Sequence, residues 1–446
     1  MTYLAADVLL TLDPVGRIHA PGFLQIEGGV IRAVEAGNPP DAVAGVVERL
    51  PGRLVMPGLV NAHTHSPMVL FRGLAEGHSL LTIEGWTRAI RSWEEVLDPD
   101  WVGTAVTVSC AEMIRSGTTT FADQYFHMDR IVPAVRKTGL RAALAYGIVE
   151  LGEPGAADHE LAAAESFLET VAADGRIDGW LGPHALFVDN SPDLIQRELA
   201  LADRYQTGLH IHLSTSGEED HYCQLYFGQT AIEHMAQLGV LDRRLLAAHC
   251  LTLPASDYPE LAGRDFSAVL CASACMRAGA PAPAAVAMRE AGVHLAIGSD
   301  NVANNNSYDL FQELRTLAKL LSFDMGRPAP FDAEELLRMA TLGGAQALGL
   351  DDQIGTLEVG KQADLIALDL EAIGWAPHGG QDWYTALVYA VDGGHVTDNM
   401  VGGDWLYRDG DWVTLDYAEA RRRLEDAHAG LRQRRAGRVA DAASGH

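Results

Sequence analysis

The sequence predicts an α/β fold, a (β/α)8 TIM barrel with a small β-sandwich domain formed by the N- and C-terminal segments. Three observations carry that prediction. The 446 residues exceed one ordinary core, yet barrels with attached domains fill such a length as one unit. Eight strand-like apolar runs stand in series through the middle of the chain, nearly all followed by an amphipathic helical stretch. Short β-like runs punctuated by turns occupy both ends.

Residues 1–57 contain "DVLLTL", "GFLQIEGG" and "VIRAVE", and form the first part of the predicted sandwich. Residues 58–357 form the barrel. Its strands are read at "LVMPGLVNAH", "TTTFADQYF", "RAALAYGIVE", "GWLGPHALF", "GLHIHLS", "LLAAHCL", "SAVLCASA" and "VHLAIGSDN". Stretches such as "PDLIQRELALADRY" and "YDLFQELRTLAKLL" supply helices. The Ala/Pro stretch 278–287 reads as a loop, and 358–415, with "ADLIALDL" and "DWLYRDGDWVTL", as the second part of the sandwich. Residues 416–446 read as a helical tail whose arginines interleave with Glu425 and Asp426, a solvated amphipathic helix rather than a nucleic-acid arm.

A net charge of −27 argues against nucleic acid as a partner, because phosphate is repelled by such a field. Five scattered cysteines imply no disulfide framework and fit a reducing cytoplasm. Cys271 and Cys275 are four apart, with no second pair to complete a structural zinc site, and read as pocket or core thiols. The opening "MTYLAADVLLTLDP" lacks a basic region and is broken by Asp7, so it reads as a strand. No apolar run is long enough to span a bilayer. The expectation is a cytoplasmic enzyme acting on a small molecule, away from membranes, with a homodimer or tetramer as the ordinary state of such a barrel.

Polar residues fall where a barrel places its site. His63 and His65 end the first strand, Asp123 and Gln124 the second, and His184 the fourth. His212 ends the fifth, His249 the sixth, Cys271 the seventh and Asp300 the eighth. His63 and His65 lie two apart and so share one strand face; His210 and His212 do the same. With His212 and Asp300 they offer three nitrogens and one oxygen, an arrangement that leaves a divalent ion open to water. Zn2+ is the default ion, and Fe2+ or Mn2+ would suit the same donors.

The runs "PGLVNAHTHSPMVLFRGLAEG", "GPHALF", "HIHLS", "LLAAHC" and "IGSDNVANNNSYDLFQELR" together resemble the amidohydrolase superfamily. The nearest branch is that of the methylthioadenosine/S-adenosylhomocysteine deaminases and the related triazine chlorohydrolases. The resemblance implies hydrolysis of a C–N or related bond in a small nitrogen heterocycle or amidine. It implies that His63, His65, His212 and Asp300 bind one metal, and that His249 polarises the attacked group. Asp300 would take a proton from water and pass it to the leaving group. His184 would line the substrate pocket, with Glu84, Trp86 and Gln124 as further candidates.

Three departures bear on substrate. Thr215 stands where the family usually has a proton-donating glutamate, and a threonine hydroxyl donates only a hydrogen bond near pH 7. Cys271 replaces a histidine, and Tyr146 an arginine. Thr215 and Cys271 therefore join the candidate substrate-binding residues. Glu218 or Glu219 could supply the missing acid, although two solvated loop carboxylates are the blander reading. Otherwise the substrate needs no such proton, Thr215 binds an anion, or the protein is a catalytically silent ligand-binding homologue. A metal-dependent lyase or isomerase is a further alternative. Retention of all four metal ligands favours a working metal centre.

Overall fold

The structure, a computed structural model, describes residues 1–41, 46–150, 152, 155–377 and 382–444, with side chains to 438. Near the N-terminus lie β1 (Thr2–Leu10), β2 (Ile18–His19), β3 (Gly22–Glu27), β4 (Val30–Ala36) and β5 (Val47–Pro57). The barrel strands are β6 (Leu59–Thr64), β7 (Thr118–Tyr125), β8 (Arg141–Ile148) and β9 (Ile177–Pro183). They continue with β10 (Leu209–Leu213), β11 (Leu245–His249), β12 (Phe266–Leu270) and β13 (His294–Ile297). The chain closes with β14 (Leu365–Asp369), β15 (Val396–Val401), β16 (Asp404–Arg408), β17 (Asp411–Trp412) and the helix Tyr417–Ser444.

Strands β6 to β13 pair in chain order as one parallel eight-stranded sheet. Every one of the eight runs read from sequence overlaps one of these strands. They are almost wholly buried, as expected for strands covered on both faces. The sheet closes at its C-terminal rim, where Thr64 pairs with Asp300 and the Asp300 N–H donates to the His63 carbonyl at 3.0 Å. Closure thus brings the two ends of the predicted ligand set together.

The terminal segments form one continuous nine-stranded mixed sheet. Its halves join where β14 runs antiparallel to β5, with Leu365 opposite Pro57. Leu4, Leu24, Ile31, Val55, Leu365 and Met400, drawn from six of its strands, share one apolar cluster, so the sheet encloses a core of its own. A buried ion pair, Arg141 Nε to Asp364 at 2.9 Å, ties this sheet to the barrel. Among the described residues no helix is long and apolar enough to cross a membrane.

The tail helix is only partly solvated. Its Arg421–Glu425 pair is exposed, but Arg434 reaches Asp98 at 2.6 Å and lies over the Trp101 ring. Arg435 sits 3.9 Å from the Trp93 ring centre and Arg438 pairs with Glu95 at 2.7 Å. Interleaved charge marks an exposed helix, but it does not reveal which aromatic surface the arginines cover.

Candidate active site

The alternation of β6 puts His63 and His65 on the inner face of the barrel, both buried. His65 donates its Nδ1–H to the Gln124 carbonyl at 2.7 Å, and His212 donates its Nδ1–H to the His184 carbonyl at 2.9 Å. Both rings are thereby fixed with a bare lone pair on Nε2. Those two Nε2 atoms face each other at 3.2 Å. Two lone pairs at that distance repel unless a cation lies between them. Protonating His212 is opposed first by burial and then by the neighbouring imidazoles, which push its pKa well below the ordinary value. Two nitrogens sharing one tetrahedral zinc would stand about 3.3 Å apart, so this spacing suits a metal.

The remaining donors converge on the same point. His63 Nε2 is buried without a hydrogen-bond partner, and its Nδ1 meets His210 Nε2 at 2.7 Å. Asp300 Oδ1 lies 3.6 Å from His63 Nε2 and 3.5 Å from His65 Nε2. The set His63, His65 and His212 and the set His63, His249 and Asp300 each have ligand atoms within 4.8 Å of one another. Burial, then nearby imidazoles, holds His63 well below its usual pKa, and His210 is lowered to about 3. Neutral imidazole is the form that binds a metal. The donor set therefore fits a divalent ion.

Backbone strain helps to aim these groups. Ser214, His249, Cys250 and Asp300 have φ of 49°, 78°, 50° and 58°, left-handed values uncommon for residues with a Cβ. The Asp123 carboxylate accepts from Thr64 Oγ1 at 2.7 Å and from the Ser66 N–H and hydroxyl at 2.6 Å each, pinning the turn after His65. Asn301 Nδ2 donates to Asp300 Oδ1 at 2.9 Å.

Above these residues lies a cavity that opens to solvent. His65, Trp86, Gln124, His184, His212, Thr215, His249 and Asp300 line it, with Leu80, Leu81 and Ile83 as apolar wall. His184 packs 5.3 Å from the Trp86 ring centre. Its Nδ1–H donates to Asp189, whose other oxygen accepts the Ala185 N–H at 3.0 Å. Burial opposes charge on His184, but Asp189 more than offsets it, and the pKa rises.

Two predicted positions, Glu84 and Cys271, and the departure at Tyr146 lie elsewhere. Glu84 turns into solvent and pairs with Arg88 at 2.7 Å, because a first-turn carboxylate on the exposed side of Ile83–Trp86 finds its cation one turn on. It does not line the cavity. Cys271 caps the end of β12 with its thiol buried outside the cavity wall, the Asp300 charge near enough to help raise its pKa after burial. Tyr146 faces the opposite side of β8 from the cavity-lining Gly147 and bounds a separate cleft with Glu160.

Sequence reasoning missed Asp189, Glu94 and the role of His210. Asp189 follows His184 by five residues with no motif to mark it. Glu94 is a buried cavity carboxyl that accepts the Tyr125 hydroxyl proton at 3.0 Å. His210 shares a strand face with His212, as read, but backs His63 instead of joining the ligand set. Glu219, on the segment expected to be solvated, is buried and lines the cavity, while Glu218 accepts the Ile83 N–H at 3.3 Å.

Comparison with known proteins gives the family. The amidohydrolase family model matches residues 54–406. A 5-methylthioadenosine/S-adenosylhomocysteine deaminase of Desulforudis audaxviator is 37% identical over 419 residues, spanning 92% of this chain and 95% of that protein. A 5'-deoxyadenosine deaminase of Methanothermobacter thermautotrophicus is 34% identical, spanning 82% of this chain and 84% of its own. The zinc-bound crystal structure of an adenosine deaminase from Xanthomonas campestris superposes with a TM-score of 0.88 at 31% identity, covering 97% of this chain and 98% of that one. The chain belongs to the amidohydrolase family and is a metal-dependent hydrolase of non-peptide C–N bonds.

Proposed function

We propose that the chain hydrolytically deaminates an amino-substituted purine carried by a nucleoside-like small molecule. The observation that carries this reading is the convergence of His63, His65 and His212 Nε2 with Asp300 on the floor of a closely lined cavity. The names of the relatives, deaminases of adenosine derivatives, support the substrate class. His63, His65, His212 and Asp300 hold one divalent ion, with zinc favoured by the zinc-bound neighbour. When bound, such an ion supplies Lewis acidity and a water nucleophile at neutral pH.

The protein's own residues do the rest. Asp300 accepts a proton from the attacking water and passes it to the departing amine. His249, buried beside Asp300, hydrogen-bonds the oxygen that becomes the carbonyl. The C–N bond breaks, a carbonyl forms and ammonia leaves. His184, held by Asp189, offers its free ring nitrogen to the heterocycle, and Gln124 and Thr215 present polar groups to it. Trp86, Leu81 and Ile83 give the ring an apolar wall and restrict water. Five free, buried cysteines support a cytoplasmic location, and a charge of −27 supports a free small-molecule substrate over nucleic acid.

The test is ammonia release by zinc-loaded protein from adenosine, 5'-deoxyadenosine, methylthioadenosine and S-adenosylhomocysteine, set beside pterin, pyrimidine and triazine amines. Turnover of the purine nucleosides is expected. Silence across the panel sinks the deaminase reading.

A further inference from the structure

Adding water across a ring C=N bond moves an electron pair onto the ring nitrogen, which needs a proton to hold that pair at low cost. Thr215 lines the cavity at the end of β10 but has only a hydroxyl to offer. The acids on the cavity wall are Glu94, Glu218, Glu219 and Asp300. Asp300 already handles the proton of the attacking water. Glu218 is occupied by the Ile83 N–H. Burial raises the Glu94 pKa, and its Oε2 has no hydrogen-bond partner. Tyr125 donates to its other oxygen, however, and Arg91 lies 3.8 Å from Oε2, a cation that favours its anion.

Glu219 shares the orphaned buried oxygen of Glu94 but, among the described residues, has no cation paired with it. It stands in the first turn of the helix Glu218–Phe227, 1% exposed, on the wall of the cavity. Its Oε2 is buried without a hydrogen-bond partner, and among the described residues no cation forms an ion pair with it. It sits between the ends of β10 and β11, close enough to Ser214 and Cys250 to interact electrostatically with both. Those strands carry His212 and His249. One oxygen of this carboxyl thus has no hydrogen-bond partner among the described residues.

We propose that Glu219 is the acid that protonates the ring nitrogen, taking over from within the cavity wall the step that Thr215 cannot perform. This rests on the deaminase reading given above. As water oxygen bonds to carbon, the C=N π pair moves to nitrogen, which takes the carboxyl proton of Glu219. The water's first proton travels through Asp300 to the amine. Collapse forms C=O, breaks the C–N bond and expels ammonia, while the ring nitrogen keeps its proton. The oxygen's second proton, released in the collapse, restores the Glu219 carboxyl, so two water hydrogens end on the ring nitrogen and on ammonia.

The protonation state agrees. Burial raises the Glu219 pKa to about 7, more than the backbone N–H groups of Glu219 and Ser214 lower it, so the acid form persists close to neutrality.

The experiment compares zinc-loaded wild type, Glu219→Gln and Glu219→Asp, each checked for fold by thermal melting. In Glu219→Gln, kcat is expected to fall by about 10²–10⁴-fold with KM changed less, as for loss of a general acid. The alkaline limb of the wild-type kcat profile, a decline as the pH passes through about 7, should vanish with it. Glu219→Asp should keep that limb and regain part of the rate, which also covers a glutamine variant that fails to fold. A second readout needs no turnover: the buried-carboxyl signal titrating near 7 in infrared difference spectra of wild type, to which Glu313 also contributes, should lose the Glu219 share in Glu219→Gln. Retention of kcat within about threefold with the alkaline limb intact overturns the proposal alone. A wild type silent on the whole nucleoside panel overturns the deaminase reading and this step with it.

Discussion

The floor and the cover of the cavity are built in different ways. The floor is made from strand ends: His63, His65, His212, His249 and Asp300 project from four different strands or from the residues just after them. Two of these imidazoles are held by backbone carbonyls, and His63 by His210. The cover, from Leu80 to Glu94, is a chain of short helical turns, Ile83–Trp86, Thr87–Arg91 and Ser92–Glu94. Borrowed contacts hold it in place: Glu218 to Ile83, Tyr125 to Glu94, and the tail arginines to Trp93 and Glu95 just behind it. The proposed ligands are thus placed by the sheet, and the space above them by a segment whose position depends on distant parts of the chain. Sites on strands are held more precisely than sites on loops.

Substitutions can break or sharpen that contrast. On the floor, His63→Ala should release the metal and lower ammonia production by roughly 10³-fold or more, since the ion contributes several kcal/mol; metal analysis beside the assay checks it. One layer below, His210→Ala leaves every ligand in place but removes the partner of His63 Nδ1. Its expected cost is about 10–100-fold in metal affinity or activity, measured by competition with a chelator. If His210→Ala matches His63→Ala in severity, His210 is a ligand and the floor has been misdrawn.

Changes to the cover should act on substrate instead of metal. Replacing Arg434 and Arg435 together by alanine removes two cation–π contacts and the Asp98 pair. At about 0.5–1 kcal/mol for each exposed contact, KM should rise several-fold while metal content stays constant. Glu84→Ala, which loses only an exposed pair with Arg88, should leave KM and kcat within about twofold. A large effect there would return Glu84 to the cavity wall.

The same division decides what was legible in the sequence. His63 and His65 declare themselves because strand alternation forces residues two apart onto one face, and Asp300 because a strand end precedes it. The barrel could be read for a similar reason, since strands covered on both sides must be apolar throughout. Long-range closure left no such mark. Nothing in "PHALFVDN" says that Asp189 turns back to His184, because that contact depends on the turn between them. "SGEED" is polar enough to read as a solvated loop, yet its helix begins by turning Glu219 inward while Asp220 stays half-buried. Glu84 misled in the opposite sense: it stands two residues from Trp86 but faces the other way, as positions two apart on a helical turn do. His210 shares strand phase with His212, whereas depth along the strand gives it a different neighbour.

The most direct test of the metal centre is a titration. Protein stripped by a chelator is supplied with Zn2+ in steps while bound metal and ammonia release from a purine nucleoside are followed together. Both should rise linearly and break at one ion per chain, with the His63→Ala protein showing neither. Full deamination by the stripped protein, or activity that rises without bound metal, would contradict the assignment of His63, His65, His212 and Asp300 as the ligands of a catalytic ion.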